Sequence, residues 1–396
     1  MISGQAFHQK SNYIGLLSAN TILGSAMPML IILGGLAGLM LAPNPALATF
    51  PASIQTLAGL IATGPFSLLM GRYGRRTGFF LGGMMAVLGG LIGVAALFTQ
   101  SFALLCLAHM ALGAALTCYQ YFRFAASEVV PVNWQPVAIS LMLTSGLVAA
   151  FAGPQIFILA KDIFAPVPLA GAYAAISAVT CLGLVPLAFV RIAREGPIVQ
   201  KAGVSRLKSL AILRQPQVLE AVIAGSVSQG IMVLLMAPTA VAMIGCGFSE
   251  DTAGDVIRWH VVAMFAPSFV TGFLIKRFGA RLIVRLGLML LIASALTAGS
   301  GISGWHFYGS LILLGVGWNF GFIGATSMLA SAVAPQDRAV AQGANDTVIA
   351  FVATVCAFGS GAVVASFGWA WLAAVALAVL IPAALVPKKA FDLGRG

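Results

Sequence analysis

The polar and apolar positions of this chain fall into long blocks rather than into short alternating patterns. From residue 13 onwards, apolar runs are separated by short stretches of charged residues or of Gly, Pro and Asn. Each run supplies the roughly 20 residues that a helix needs to cross a bilayer, where a helix satisfies its own backbone hydrogen bonds. The pattern predicts an all-α membrane protein with twelve transmembrane helices. The predicted spans, numbered in order, are residues 13–41, 49–71, 78–100, 103–128, 137–160, 169–192, 217–244, 254–275, 282–301, 305–333, 343–366 and 368–386.

The composition supports a membrane protein. Of the 396 residues, 60% are hydrophobic and 8% are charged, whereas a soluble domain carries roughly 25% charged residues. The five cysteines lie singly inside apolar runs, so we expect no disulfide and no metal site. No cleavable signal is predicted, because residues 1–12 are polar and the first run is too long for a signal peptide.

The positive charges indicate which side of the membrane each connection faces. If the N-terminus lies in the cytoplasm, every Lys and Arg falls on the cytoplasmic side except Arg123, Lys161 and Arg258. Cytoplasmic loops carry this excess of Lys and Arg, so both termini are predicted to be cytoplasmic. The net charge of +11 therefore points to anionic lipid headgroups as a partner, above all along residues 193–216, and not to nucleic acid.

A basic loop occurs twice, once after the second span and once after the eighth. The first copy is Gly71-Arg72-Tyr73-Gly74-Arg75-Arg76, and the second is Lys276-Arg277-Phe278-Gly279-Ala280-Arg281. The repeat predicts two pseudo-symmetric six-helix bundles. We place them at residues 1–192 and 217–396, joined by a cytoplasmic linker at 193–216.

Two six-span halves with this loop resemble the major facilitator superfamily of transporters, whose loop signature is G-x-x-x-D-R-x-G-R-R. The resemblance implies the major facilitator fold and a gating role for Arg72, Arg75, Arg76, Arg277 and Arg281. Both copies lack the acid of the signature, since Gly71 and Lys276 stand at its position.

The missing acid raises the question of what the loop pairs with. Asp346 lies near the start of the eleventh span, and one hypothesis is that it pairs with Arg72 when the inner gate is closed. The alternative is that Asp346 only stabilises the first turn of its own helix. The resemblance further implies that Glu128, at the end of the fourth span, holds Arg75 or Arg76, with Asp337-Arg338 at the corresponding place in the second half.

Ionisable groups inside spans are costly and are functional candidates by default. His109 in the fourth span and His260 in the eighth are candidates for proton coupling, since histidine takes up a proton near neutral pH. For His109, a neutral histidine bonded to a carbonyl remains the alternative. Asp255 lies three residues before Arg258 and is placed for a local ion pair.

Polar and aromatic residues within the spans are candidate substrate contacts. At helical spacing, Tyr119 and Arg123 share a face with Gln120 beside it, although an aromatic belt with Arg123 reaching towards the headgroups is the alternative. Gln229, Trp318 and Asn319 lie near the middle of the seventh and tenth spans. Close helix packing is the alternative for the Gly-rich tenth span.

Strings such as Tyr121–Ala126, Trp259-His260 and Trp318–Ala325 are similar to bacterial transporters proposed to import riboflavin. This resemblance implies a secondary transporter that moves a small planar aromatic solute, such as riboflavin, across the bacterial inner membrane by alternating access. We expect it to be a monomer without a cofactor, and the sequence leaves proton coupling open. The alternative is a proton-driven multidrug efflux antiporter. An enzyme is not predicted, because no DxxxD, HxxxH or HExxH pattern accompanies the spans.

Overall fold

The computed structural model describes residues 2–130, 135–191, 211–333 and 338–385. These residues form α-helices and one short 3-10 segment, Pro45–Leu47, and contain no β-strand. The helices before the predicted linker are α1 (Ile2–Gly24), α2 (Ala26–Leu41), α3 (Phe50–Tyr73), α4 (Arg75–Phe98), α5 (Phe102–Tyr119), α6 (Phe122–Glu128), α7 (Gln135–Ala160) and α8 (Ala170–Phe189). Those after it are α9 (Pro216–Met236), α10 (Thr239–Gly245), α11 (Glu250–Phe265), α12 (Ser268–Phe278), α13 (Ala280–Gly299), α14 (Gly304–Ala332), α15 (Arg338–Phe367) and α16 (Trp369–Leu385).

Within the described residues, ten helical stretches are long and apolar enough to cross a membrane. Two further apolar helices, Thr144–Ala160 and Trp369–Ala384, fall at the predicted fifth and twelfth spans but are shorter. The all-helical membrane architecture is confirmed. The count of twelve spans stays a prediction.

Several spans consist of two helices rather than one. Pro28, Pro238 and Pro267 lie close to the interruptions of the first, seventh and eighth spans, at Ser25, at 237–238 and at 266–267. A proline has no backbone N–H and its ring clashes with the carbonyl four residues earlier, so the helix breaks or bends there. Each interruption leaves backbone groups that neighbouring side chains must satisfy inside the membrane.

The two basic loops adopt the same backbone conformation. Gly74 has φ 92° and ψ 155°, and Gly279 has φ 86° and ψ 147°. This left-handed region favours glycine, because a Cβ atom would be strained there. Each glycine ends one helix and directly precedes the next. The positive φ at this position therefore explains why both copies have a glycine there, Gly74 and Gly279.

The chain separates into two compact units. Unit 1 contains Met1–Ile198 together with Ser249–Arg258, and unit 2 contains Val199–Phe248 together with Trp259–Gly396. The first residues of α11 therefore pack with unit 1, while the rest of that helix packs with unit 2. The bundle boundaries 1–192 and 217–396 stay a prediction.

Close helix packing in unit 1 depends on glycine. An added Cβ atom at Gly113 in α5 would overlap the carbonyl oxygen of Gln55 in α3. Small residues at helix contacts allow backbones to approach this closely in membranes. The approach places Gln55 beside His109, one turn before Gly113.

Candidate functional site

The first basic loop is held by charge and hydrogen bonds within unit 1. Arg75 donates to Glu128 at the end of α6, with its Nη2 2.8 Å and its Nε 3.0 Å from Oε1. Arg76 donates from Nη2 to the carbonyl oxygen of Ala188, 2.7 Å away at the end of α8. The contact expected between Glu128 and this loop is present, with Arg75 as the partner. The gating role of these residues stays a prediction.

The second basic loop uses an acid that the sequence pattern did not single out. Arg281 donates from Nη2 to Oε2 of Glu220, 2.9 Å away near the start of α9. Asp337, predicted at the corresponding position, lies outside the described residues, as does the side chain of Arg338. A charged residue just inside the first helix of the second half was the available signal for Glu220.

Arg72 and Arg277 occupy matching places in the two loops. Each guanidinium carbon lies 5.3 Å from the centre of the next residue's ring, Tyr73 and Phe278 respectively. Both arginines are exposed, and such exposed cation–π contacts contribute about 0.5–1 kcal/mol. Their gating role also stays a prediction.

The predicted position of Asp346 in its helix is corrected. Helix α15 begins at Arg338, so Asp346 lies beyond the second turn. The helix dipole acts on charges within the first turn. Stabilisation of its own helix start is therefore no longer an explanation for Asp346, whose Oδ1 accepts a hydrogen bond from Asn345 Nδ2 at 3.1 Å.

The predicted helical face of Tyr119 and Arg123 is also corrected. Helix α5 ends at Tyr119, and α6 begins at Phe122. Gln120 N and Tyr121 N bond the carbonyls of Thr117 and Cys118, three residues back, so the continuous helical spacing is lost. Tyr119 is buried and Gln120 is exposed, whereas the side chain of Arg123 lies outside the described part of the structure.

His109 lies in a buried polar cluster of unit 1. Its Nδ1 is 2.8 Å from Gln55 Oε1, and its Nε2 is 2.7 Å from the hydroxyl of Tyr173. The ring has no exposed surface. Both ring nitrogens are engaged, so three helices (α3, α5 and α8) share one satisfied hydrogen-bond network. Sequence reasoning missed Gln55 and Tyr173, because neither precedes or follows His109 at helical spacing.

His260 has a different environment. Its Nδ1 donates to the carbonyl oxygen of Leu311, 2.7 Å away on α14, and this bond places the proton on Nδ1. The ring is fully buried, and among the described residues no group bonds its Nε2. The unpaired lone pair of Nε2 distinguishes His260 from His109.

Asn319 bridges the interruption of the eighth span within unit 2. Its Nδ2 donates to the carbonyl oxygen of Met264 and to Ser268 Oγ, both at 2.7 Å. Its Oδ1 accepts from Thr271 Oγ1 at 2.7 Å. Both amide hydrogens are used and the side chain is fully buried. Asn319 therefore holds α11 and α12 against α14, and this geometry argues against the substrate contact predicted for it.

Trp318, the neighbouring residue, lies in an aromatic group. Its ring stacks on Phe322 with the centroids 5.1 Å apart at 16°, and Phe265 meets it edge-on at 6.4 Å. Its Nε1 donates to Oε1 of Gln229, 2.7 Å away on α9. No described residue bonds the Nε2 of Gln229. We call Gln229, Phe265, Trp318 and Phe322 the aromatic group.

Comparison with known proteins establishes the family. No family model matches the chain. The riboflavin transporter RfnT of Brucella anthropi is 38% identical over 381 residues, which cover 94% of this chain and 95% of RfnT. The MFS-type transporter YdeG of Bacillus subtilis is 28% identical over 98% of this chain and 94% of its own length. The chain belongs to the major facilitator superfamily.

Solved structures of the superfamily share its fold. A mutant of the nucleoside transporter NupG matches with a TM-score of 0.73 at 13% identity, over 98% of this chain and 100% of NupG. The xylose transporter XylE from E. coli matches with a TM-score of 0.71 at 12% identity, over 96% and 99% of the two chains. The chain is a multi-pass membrane transporter with the major facilitator fold.

Each of the two repeated basic loops contacts a glutamate of its own unit. Glu128 contacts the first loop from the end of α6, and Glu220 contacts the second from the start of α9. Among the described residues, the two halves repeat the loop and its glycine, and the glutamates seen in contact with it come from different helices.

Proposed function

We propose that this superfamily transporter moves riboflavin, or a similarly planar aromatic solute, across the bacterial inner membrane by alternating access. The observation that carries the proposal is the 38% identity to a protein named as a riboflavin transporter, over nearly the whole of both chains. Within unit 2, the aromatic group supplies chemistry that suits such a solute.

The aromatic group would recognise a flat ring with polar edges. Aromatic side chains bind planar rings by offset stacking or edge-on contact, each pair contributing about 0.5–1.5 kcal/mol beyond the buried area. The indole N–H of Trp318 donates to the oxygen of the Gln229 amide. The two N–H donors of that amide therefore point away from the indole. The isoalloxazine ring of riboflavin carries carbonyl oxygens on one edge, and these would accept the Gln229 hydrogen bonds.

In unit 1 we retain Tyr119, Gln120 and Arg123 as proposed contacts with the solute. The exposed Gln120 follows the end of α5 directly, where the chain turns before α6. Because Gln120 lies in this turn and not in a regular helix, its amide side chain is not needed for helix packing. A guanidinium at Arg123 would add hydrogen-bond donors for a solute in contact with unit 1.

Proton coupling is proposed to use His260. A proton carrier needs a ring nitrogen that can accept a proton, and the Nε2 of His260 has its lone pair available. The two partners of His109 favour a structural role for that residue. We therefore assign the coupling role to His260 rather than to both histidines.

Growth of a riboflavin auxotroph that lacks its own uptake system tests the function. Expression of the chain should restore growth at low riboflavin and raise uptake of labelled riboflavin. Trp318→Ala should weaken uptake at least about tenfold, since the stacking partner and the orientation of Gln229 are both lost.

Trp305→Ala is the matched control for this experiment. Trp305 lies on the same helix, α14, but is 86% exposed and outside the aromatic group. Uptake by this variant should equal that of the parent. Absence of growth despite normal membrane insertion would refute riboflavin uptake, and lowered accumulation of riboflavin or of a drug would instead support efflux.

A further inference from the structure

An ion cluster lies at the end of α7 and the start of α11, away from the basic loops. Lys161 directly follows α7 and is one of the three bases that the predicted topology does not place in the cytoplasm. Its Nζ lies 3.1 Å from Asp251 Oδ1, 3.2 Å from Glu250 Oε2 and 3.8 Å from Asp162 Oδ2. One ammonium group therefore lies within ion-pair distance of three carboxylates.

The cluster joins segments that are distant in the sequence but belong to the same compact unit. Glu250 and Asp251 are the first two residues of α11, and Ser249–Arg258 packs with unit 1. We call Ser249–Arg258 the tip of the eighth span. The rest of the span, from Trp259, packs with unit 2, so one continuous helix changes its packing partners between Arg258 and Trp259.

The acids at the start of α11 are favourable for the helix itself, because negative charge near a helix N-terminus interacts well with the helix dipole. Ser249 also caps this end by accepting from Thr252 N at 3.2 Å. The start of α11 is therefore stable without Lys161. The contact with Lys161 determines where the tip is held, not whether it is helical.

We propose that Lys161 is a positioning residue of the transport cycle, which clasps the tip of the eighth span to unit 1 in one state of the transporter and releases it in another. The inference rests on the alternating-access part of the proposed function and is independent of the riboflavin assignment. Lys161 is the positive centre of the clasp. Without it, Asp162, Glu250 and Asp251 would repel one another.

The exposure of the cluster suits a contact that is broken in every cycle. The side chain of Lys161 is 16% exposed, and those of Glu250 and Asp251 are 32% and 57% exposed. Ion pairs that retain this much contact with water contribute up to about 1 kcal/mol each. A fully buried pair would cost several times more to separate.

The clasp works by position and not by titration. Burial alone would lower the pKa of Lys161, but hydrogen bonds and charge interactions with Asp251 and Glu250 outweigh it and raise the pKa above the usual 10.5. A raised lysine pKa means that the stabilisation is fully present below pH 10.5 and is lost as the pH rises through the folded-state value. Lys161 is therefore charged throughout the physiological range.

Labelling of a single cysteine at the tip tests the clasp. Gly254 in the tip is buried, and an added Cβ atom there would lie 3.6 Å from Ile32 Cδ1, an ordinary contact. In a version without the native cysteines, Gly254→Cys is placed in lipid nanodiscs and its reaction with a maleimide is timed. Both faces of a nanodisc are accessible, so the measurement depends neither on the predicted topology nor on a substrate.

Lys161→Gln should make the cysteine at 254 react about fivefold faster, the factor that about 1 kcal/mol provides. Lys161→Arg keeps the charge and should react at the parent rate. Glu250→Gln/Asp251→Asn removes the carboxylates of the same clasp. It replaces Lys161→Gln in the test if Lys161→Gln does not insert into the membrane. Unchanged labelling when either side of the clasp is removed would overturn the proposal.

A second single-cysteine protein separates the clasp from a general loosening of unit 1. Native Cys118 in α5 is fully buried and lies away from the tip, with its thiol 3.0 Å from the carbonyl of Gly78. Its labelling should not change in Lys161→Gln. Faster labelling at both positions would show a structural role only. Failure of riboflavin uptake by the parent protein would refute the substrate and leave the labelling result standing.

Discussion

At the residue scale, the amide of Asn319 determines how the eighth span is stabilised where it is interrupted. Pro267 prevents a continuous helix. Met264 O, Ser268 Oγ and Thr271 Oγ1 each form a hydrogen bond with the side-chain amide of Asn319. Buried polar networks of this kind stabilise only when every member is satisfied. The interruption is therefore a fixed feature of this chain, built between α11, α12 and α14.

Thr271→Val tests that network with almost no change in shape. It leaves Oδ1 of Asn319 without its hydroxyl donor inside a buried site, and an unsatisfied group of this kind costs about 1–3 kcal/mol. We expect a lower unfolding temperature of the purified protein in detergent. Thr326→Val on α14 is the control, because that hydroxyl is exposed and, among the described residues, bonds the carbonyl of Phe322 alone. Equal effects of the two substitutions would contradict the network.

The two histidines give a second prediction at this scale. His260→Asn retains an N–H donor for Leu311 but removes the titratable nitrogen, so we expect solute-driven proton movement to disappear. His109→Asn, in the site where both ring nitrogens are engaged, should reduce stability and leave proton movement per transported solute unchanged. Proton uptake by proteoliposomes measures both, and coupling that survives in His260→Asn would exclude this residue as the carrier.

At the element scale, each basic loop connects two helices through a glycine and is fixed by an acid from a third. In unit 1, Arg75 lies at the first position of α4, and Glu128 at the last position of α6. Their side chains are 20% and 17% exposed, so their pairing is screened less than a surface pair. The pair fixes the end of the fourth span relative to the start of the third.

Reversal of the charges at Arg75 and Glu128 tests whether this pairing matters for transport. Arg75→Glu places two carboxylates together and should reduce uptake about tenfold or more, since one partner of a part-buried pair is lost. Arg75→Glu/Glu128→Arg should recover much of the uptake at equal membrane abundance. The same exchange at Arg281 and Glu220 provides a comparison, with a smaller effect because Arg281 is 59% exposed.

At the scale of the whole molecule, the two halves repeat one backbone conformation and one arginine–ring contact in their basic loops. Gly74 and Gly279 share one conformation, and Arg72 and Arg277 share one contact with the following ring. The acids that hold the loops come from different helices.

The hypothesis that Arg72 pairs with Asp346 belongs to this scale and remains a prediction. Since Asp346 lies well inside α15, its charge does not serve the start of that helix. Arg72→Asp and Asp346→Arg should each impair uptake, and the double variant should restore it. Uptake that stays impaired in the double variant, with normal membrane abundance, would reject the pairing.

The sequence by itself determined the class of the protein, the positions of the apolar spans and the doubled basic loop. These features follow from local composition, because about 20 consecutive apolar residues and a charged connection specify a span wherever it packs. The relative placement of Tyr119, Gln120 and Arg123 could not be predicted in this way, because the turn at 120–121 breaks the helical spacing that the prediction assumed.

Only the tertiary structure decided which polar side chains are satisfied. Gln55 and Tyr173 meet His109 from two other helices, Glu220 reaches Arg281 across unit 2, and the amide of Asn319 is saturated by groups on both sides of an interruption. Such partners are far apart in the chain, and no local pattern encodes their meeting. Whether a buried histidine or asparagine stabilises the fold or remains available for a proton or a solute depends on these long-range contacts, because burial without a partner is costly and a partner removes the availability.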